Sequence, residues 1–471
     1  MSRFITILRF EWKWLLRYRL FFPVVLLLTV TGIAALYYGH TVVQERKNTL
    51  EDIYTNDTHR FDSLVNRFAT ADTATAEGKS IYRQLSHPAV VQFQLKPAAV
   101  LPPAPLAMLS LGMSDVAGYY HRLEVNWSYL HSEEKINNPL KLLTGNIDLS
   151  FLLVYIFPLL LIGVSYNIVS REEEHGTFSL LLMQGAKPLV LLLARMLIRW
   201  MLFFLLFMLL ASAVPIIQGG GWYELLPWGV VTAAYIFFWC MLICLIAAFR
   251  KSSGFNIAAM ITAWILLLIL LPAFFRLKAD DRKVTTQTAT IAAEQREQEW
   301  ALWDMPRKAL LDSFYAHYPR YRDAGAYDTS AASSRRLMAY YDMVTRKMDR
   351  FVAKDESIRK QQHEEMVTGY YYCPAVYTQS LLNQVAHTDV ADYSHYENEI
   401  KDFHQEWKSY FFPFFFSHKV FAPADYASIP VFHHTSLSIY SSILRGTFYL
   451  LSLSVILGVA ALYLLNKHDH H

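Results

Sequence analysis

The 471-residue chain is 54% hydrophobic, 15% aromatic and 18% charged, with a net charge of +3. That composition excludes a disordered chain, a collagen and a coiled coil, three cysteines are too few to staple a chain this long, and the small charge gives no reason to expect nucleic acid as a partner. With a mean hydropathy of +0.20, a membrane protein with large water-facing parts remains.

A bilayer core about 30 Å thick takes about 20 mostly apolar helical residues. Six stretches reach that length. Ahead of them lie residues 1–19. Phe4, Ile5, Leu8, Trp12, Leu15 and Leu16 share one arc of a helix, and Arg3, Arg9, Lys13 and Arg17 lie across from it. The pattern predicts an amphipathic elbow helix in the membrane interface, a depth that suits Trp12 and Trp14. The plainer alternative is a basic flank that only sets topology.

The first span covers 20–38. Its apolar run is too long for a signal-peptide core, and no small-x-small cleavage site follows, so an uncleaved anchor is expected. Residues 39–148 form a first insertion, with a polar helical stretch near 45–68 and a Pro-rich run at 97–105.

Residues 149–276 hold spans two to five, near 149–169, 196–217, 228–249 and 255–275. Between the first two of these lies a polar segment, 171–188. It opens with Glu172-Glu173-Glu174, continues through Gly176-Thr177, and then turns apolar from Phe178 to Leu182. Gly176 permits a tight bend. Thr177 suits the N-cap of a helix beginning there. Phe178, Leu181 and Leu182 supply an apolar face for a partner's groove. An ordinary connector with solvated charges is the competing reading.

A second insertion, 277–442, reads as mainly helical at 294–318 and 334–366. Breaks are expected at 369–374 and 411–416. The aromatic run at the second break reads as a core contact rather than a patch for membrane or partner. The sixth span, 443–465, and a short tail, 466–471, complete the chain.

Basic residues in short loops set sidedness. Arg3, Arg9, Lys13, Arg17 and Arg19 precede the first span, Arg171, Lys187, Arg195 and Arg199 lie between the second and third, Arg250 and Lys251 between the fourth and fifth, and Lys467 follows the last. The opposite loop, 218–226, has neither Lys nor Arg. Both termini are therefore expected in the cytoplasm. The expected fold is an all-α polytopic membrane protein with six transmembrane helices, the elbow helix and two large, mainly helical extracytoplasmic insertions.

Catalytic signatures fail. Gly78-Lys79-Ser80 lacks the glycine a phosphate-binding loop needs, since Thr73 stands there. His363-Glu364-Glu365 lacks the second histidine of a zinc-protease helix. The terminal His468-Asp469-His470-His471 reads as a polar tail. Cys240 and Cys244 read as buried thiols, and Cys373 has no partner in the insertions for a disulfide. Charges inside the spans are almost absent, which weakens an ion-driven carrier.

One stretch carries a resemblance. Glu172, Gly176, Thr177, Leu181 and Leu182, with Glu174, resemble the Glu-x-x-x-Gly-Thr-x-x-x-Leu-Leu signature of type-2 ABC-transporter permeases. Asn138-Pro139, Gly145-Asn146-Ile147-Asp148, Pro158-Leu159 and Tyr166-Asn167-x-x-Ser170 resemble a bacterial subfamily with large outer domains after spans one and five. Cys373-Pro374-Ala375 through Thr388-Asp389 resembles that subfamily's outer-domain pattern, although His387 stands where a small residue is expected. The resemblance implies a permease of the bacterial inner membrane, working with an ABC-type ATPase subunit and a second permease copy or paralogue. It implies that 171–182 docks on the ATPase and that residues 3–19 form the elbow helix among membrane lipids. ATP and Mg would sit on the ATPase, with no cofactor on this chain. An exporter of an amphiphile or polymer is expected. The alternative is a mechanotransmission subunit whose outer domains work on a periplasmic partner; a membrane enzyme is the weakest reading.

Overall fold

A computed structural model describes residues 2–123, 147–177, 183, 188–219, 221–280, 287–322, 334–416 and 419–469. The elbow helix α1 (Ser2–Arg17) precedes a single long helix, α2 (Phe21–Ala69). Pro23 falls in the first turn of α2, where backbone N–H groups lack intrahelical partners anyway. The first span and the polar stretch near 45–68 are thus one helix and not two. No Gly or Pro interrupts residues 40–69, so nothing ends the helix where the apolar run ends. At 1.5 Å per residue it extends roughly 70 Å, more than twice the bilayer core.

The first insertion continues with α3 (Ala76–Leu85) and α4 (Pro88–Leu95). A two-stranded antiparallel ribbon follows, β1 (Ala98–Val100) with β2 (Tyr120–Arg122), Ala99 opposite His121. Next come α5 (Leu149–Gly163), the short α6 (Ser170–Glu174), α7 (Pro188–Gln218), α8 (Trp222–Ala247) and α9 (Ser253–Lys278). The second insertion holds α10 (Gln287–Trp303), α11 (Arg307–His317), α12 (Ser334–Tyr370), α13 (Pro374–Val385) and α14 (Val390–Phe416). The last helix is α15 (Tyr440–Asp469). Among the described residues five helices, α2, α7, α8, α9 and α15, are long and apolar enough to cross a membrane, and α5 is a shorter apolar helix. The second span therefore ends at Gly163, sooner than 169, and turns fill the difference.

Helix α8 is the axis of the bundle. It is apolar on every side and packs against α15 and α7, with Trp228, Tyr235 and Trp239 fully enclosed. Its Tyr235 also repairs α5. Pro158 has no N–H, so the carbonyl of Val154, four residues earlier, loses its helical donor. The Tyr235 hydroxyl donates to that carbonyl at 2.8 Å, and Trp264 of α9 donates to the neighbouring Tyr155 carbonyl at 3.2 Å. Residues 152–156 widen into a π-turn there. In hydrocarbon, a backbone group freed by proline needs such a substitute.

The insertions share an aromatic core. Phe411, Phe412, Phe414, Phe415 and Phe416 are all buried in it, with Phe314 and Phe421. The core reading of this run is borne out, but the break is not. Helix α14 continues through Pro413 to Phe416, held by rings packed on both sides of the proline. The break at 369–374 is real: α12 ends at Tyr370, and Pro374 opens α13. The 294–318 stretch is two helices, α10 and α11, divided ahead of Arg307 by Pro306.

The two insertions are buckled together at the start of α5. Asp148, 2% exposed, caps α5 by accepting from the Phe151 N–H at 2.7 Å, and its other oxygen accepts from the Leu111 N–H at 2.7 Å. One residue back, the Ser110 carbonyl accepts from the Thr388 hydroxyl at 2.9 Å. The Thr388 carbonyl accepts from the Met113 N–H at 2.9 Å. The expectation of a small residue at 387 has its reason here. Helix α13 ends in a Schellman turn, with Thr388 N–H bonded to Asn383 O and His387 N–H to Gln384 O. This places His387 at φ +51°, the left-handed region that favours glycine.

Candidate docking site

The acidic segment is built on α6. That helix also closes with a Schellman turn: Thr177 N–H bonds Glu172 O at 2.9 Å, and Gly176 N–H bonds Glu173 O at 3.1 Å. Gly176, at φ +68°, supplies the bend that its residue type suggested. The Thr177 hydroxyl donates back to Glu172 O at 3.3 Å and so closes α6; the helix it was expected to open falls at 178–182, outside the described residues. Phe178, Leu181 and Leu182 lie outside the described residues.

Three consecutive residues on a helix fan through about 200°, so three acids cannot face one neighbour. Glu172 accepts from Arg195 of α7, at 2.8 Å from Nη1 and closely from Nη2. Glu173 pairs with Arg250, in the turn between α8 and α9. Glu174 accepts from the Ser253 N–H at 2.7 Å and its hydroxyl at 3.0 Å. Ser253 is the first residue of α9, so a carboxylate there also meets the helix's positive end. The Ser253 N–H and hydroxyl hold the Glu174 carboxyl below its usual range. The acids are thus engaged within the chain, one tying α6 to α7 and two tying it to the α8–α9 turn and the start of α9.

Arg195 is the hub. Besides Glu172, it donates from Nε to Glu11 of α1 at 2.8 Å, and from Nη1 to the Ile168 carbonyl. Glu11 lies within the apolar arc of α1, seven residues after Phe4 and four before Leu15, and it is 4% exposed. An acid in that position is a signal for a buried partner. Arg9, Lys13 and Arg17 are exposed, as expected, and Trp12 is 46% exposed. The side chain of Arg3 lies outside the described residues. Trp14 is half-buried and lies beneath two guanidinium groups, Arg171 at 5.5 Å and Arg199 at 5.9 Å from its ring centre.

Between α1, α6 and α7 is a cavity of about 290 Å³, lined by residues that include Glu11, Trp14, Asn167, Arg171, Glu172 and Arg199. Among the described residues no group of three or more His, Cys, Asp or Glu is placed to hold a metal ion. Cys373, in the second insertion, is buried and unbridged, as are Cys240 and Cys244.

A family model for ABC-2 family transporter proteins matches residues 5–301. A second, for a domain of unknown function (DUF3526), matches residues 287–435 and so covers most of the second insertion. No curated protein and no solved structure matches the chain. The first match takes in the elbow helix, the acidic segment with its hub and four of the five membrane-length helices, and the chain belongs to the ABC-2 family of transporter proteins as a multi-pass membrane permease.

Proposed function

We propose that this chain is the permease of an exporter in the bacterial inner membrane, powered by a separate ATPase subunit that binds ATP and Mg. Both termini and α6 face the cytoplasm, and both insertions face the periplasm. A second copy or paralogue completes the transporter. The ATPase docks on residues 176–182, where Phe178, Leu181 and Leu182 supply the apolar grip.

The observation that carries this reading is the division of Glu172, Glu173 and Glu174 among Arg195, Arg250 and Ser253. A push on 176–182 would reach α7, α9 and, through Arg195 and Glu11, the elbow helix. A solvated connector has no use for tethers to both α7 and the α8–α9 turn. The test is copurification of the detergent-solubilised protein from its native membrane. An ATP-binding subunit should accompany the wild type and be lost from a Gly176→Pro, Phe178→Asp variant. Absence of any ATPase beside the wild type, under conditions that keep other ABC complexes intact, would overturn the docking.

A second reading, mechanotransmission to a periplasmic partner, draws on α2. This helix runs unbroken from the span into the insertion, and the Asp148–Leu111 and Thr388–Ser110 bonds join both insertions to α5. An exporter's ATPase should be stimulated by an amphiphile that then appears across the bilayer. A mechanotransmitter should instead bind its outer partner differently with and without ATP.

A further inference from the structure

We infer that the cavity between α1, α6 and α7 is a binding site for a phosphodiester anion of the phospholipid headgroup class, held by Arg199 and Arg171.

Three arginines and two glutamates line the cavity, leaving one positive charge over. Both carboxylates are taken by Arg195. Arg199 is 1% exposed, and among the described residues its guanidinium donates to two carbonyls, Arg195 O at 2.9 Å from Nη1 and Val164 O at 3.4 Å from Nε. Its Nη2 is fully enclosed with no hydrogen-bond partner among the described residues. A buried guanidinium without a hydrogen-bonded anion is costly, and a cavity at its side gives an anion room to meet it. Arg171 is exposed and lies over the same Trp14 ring as Arg199, so the two cations approach one place from opposite degrees of burial.

Depth favours a lipid. Arg199 is the last charged residue before an apolar run, 200–217, with no charge in it. The site therefore sits where hydrocarbon gives way to headgroups. Phe10, 68% exposed, also lines the cavity and offers an apolar surface beside it. One singly charged phosphodiester would neutralise the excess of one positive charge. The headgroup should therefore carry a net negative charge, as phosphoglycerol does and zwitterionic phosphocholine does not.

The experiment is a thermal-unfolding titration of the full-length protein in an uncharged maltoside detergent. Three probes are added separately: dioleoyl phosphatidylglycerol, dioleoyl phosphatidylcholine and inorganic phosphate. Phosphatidylglycerol should raise the wild-type midpoint saturably and at lower concentration than phosphatidylcholine. Arg171→Gln should shift the half-saturating concentration up about tenfold, the worth of one charge-assisted bond, and Arg171→Glu should abolish the response. Arg199→Gln should abolish it too. If that buried variant does not fold, the two variants at exposed Arg171 decide the matter. An equal response to inorganic phosphate would keep the anion site and assign it to the free ion. Equal lipid responses in the wild type and both Arg171 variants would overturn the proposal.

Discussion

Glu11 and Arg195, 184 residues apart, meet at 2.8 Å with both side chains buried. This pair fixes the elbow helix to α7 and, through the second carboxylate on Arg195, to α6. Removing one partner of a buried pair leaves an uncompensated charge and costs about 3–5 kcal/mol. Arg195→Met should therefore lower stability by about that much. Glu11→Gln should cost less, since Glu172 remains to balance Arg195. A double-mutant cycle on the unfolding midpoint measures the coupling, and a value near zero would sink the hub.

Two of the acids of α6 should differ in kind. Glu172→Ala takes one of the two carboxylates from buried Arg195 and leaves it to Glu11 alone, whereas Glu174→Ala removes an exposed group that caps α9 only at the surface. The first should lower the unfolding midpoint clearly, and the second should leave it nearly unchanged. Both should weaken transmission from a docked ATPase. ATPase activity of the isolated complex, with and without each variant, checks that expectation.

Tyr235 supports α5 because Pro158 leaves the Val154 carbonyl without its donor. Tyr235→Phe should cost about 1–2 kcal/mol, the worth of stranding a buried acceptor. Pro158→Ala restores an N–H to the helix and should recover part of that loss in the double variant. Strict additivity of the two changes would count against the substitution of one donor for the other.

At the joint between the insertions, backbone geometry should govern tolerance. Gly112 has φ +46°, and an added Cβ would lie 2.4 Å from the Thr388 carbonyl oxygen. Gly112→Ala should destabilise by about 1–3 kcal/mol. His387→Gly relieves a left-handed non-glycine residue but gives up the His387–Asp392 bond at 3.1 Å, so it should stay near neutral. A β-branched valine at 387 should be worse than either histidine or glycine. Unfolding midpoints of the three variants rank them.

Acid should loosen the strap that leads from the aromatic core into α15. Glu399 accepts from the His434 ring at 2.6 Å and from the Thr435 N–H at 2.9 Å and hydroxyl. Burial by itself would raise the carboxyl's pKa, but these donors together hold it below the usual 4.5. The contribution is present above pH 4.5 and is lost as pH falls through the depressed, folded-state value. Hydrogen exchange across residues 429–439 should rise over that window. In Glu399→Gln the rise should flatten.

Some of this architecture is local, and the sequence suffices for it. Long apolar runs become membrane-length helices because hydrocarbon leaves the backbone only its own hydrogen bonds. Gly176 marks a helix end because its left-handed φ is cheap only for glycine, and five phenylalanines in six residues belong in a core. Element ends were harder to read. The first span does not stop where hydropathy stops, since helix propagation needs only an absence of breakers. The long-range pairings are of another kind. Nothing in Glu172-Glu173-Glu174 says that the acids part toward Arg195, Arg250 and Ser253, or that Glu11 reaches across to α7. Those choices depend on which helices pack side by side, and a charge in low dielectric takes whichever counter-charge the packing brings within reach. Composition and hydropathy determined that the chain is a helical membrane protein; the tertiary structure alone decided how its acidic segment, elbow helix and insertions are tied to the spans.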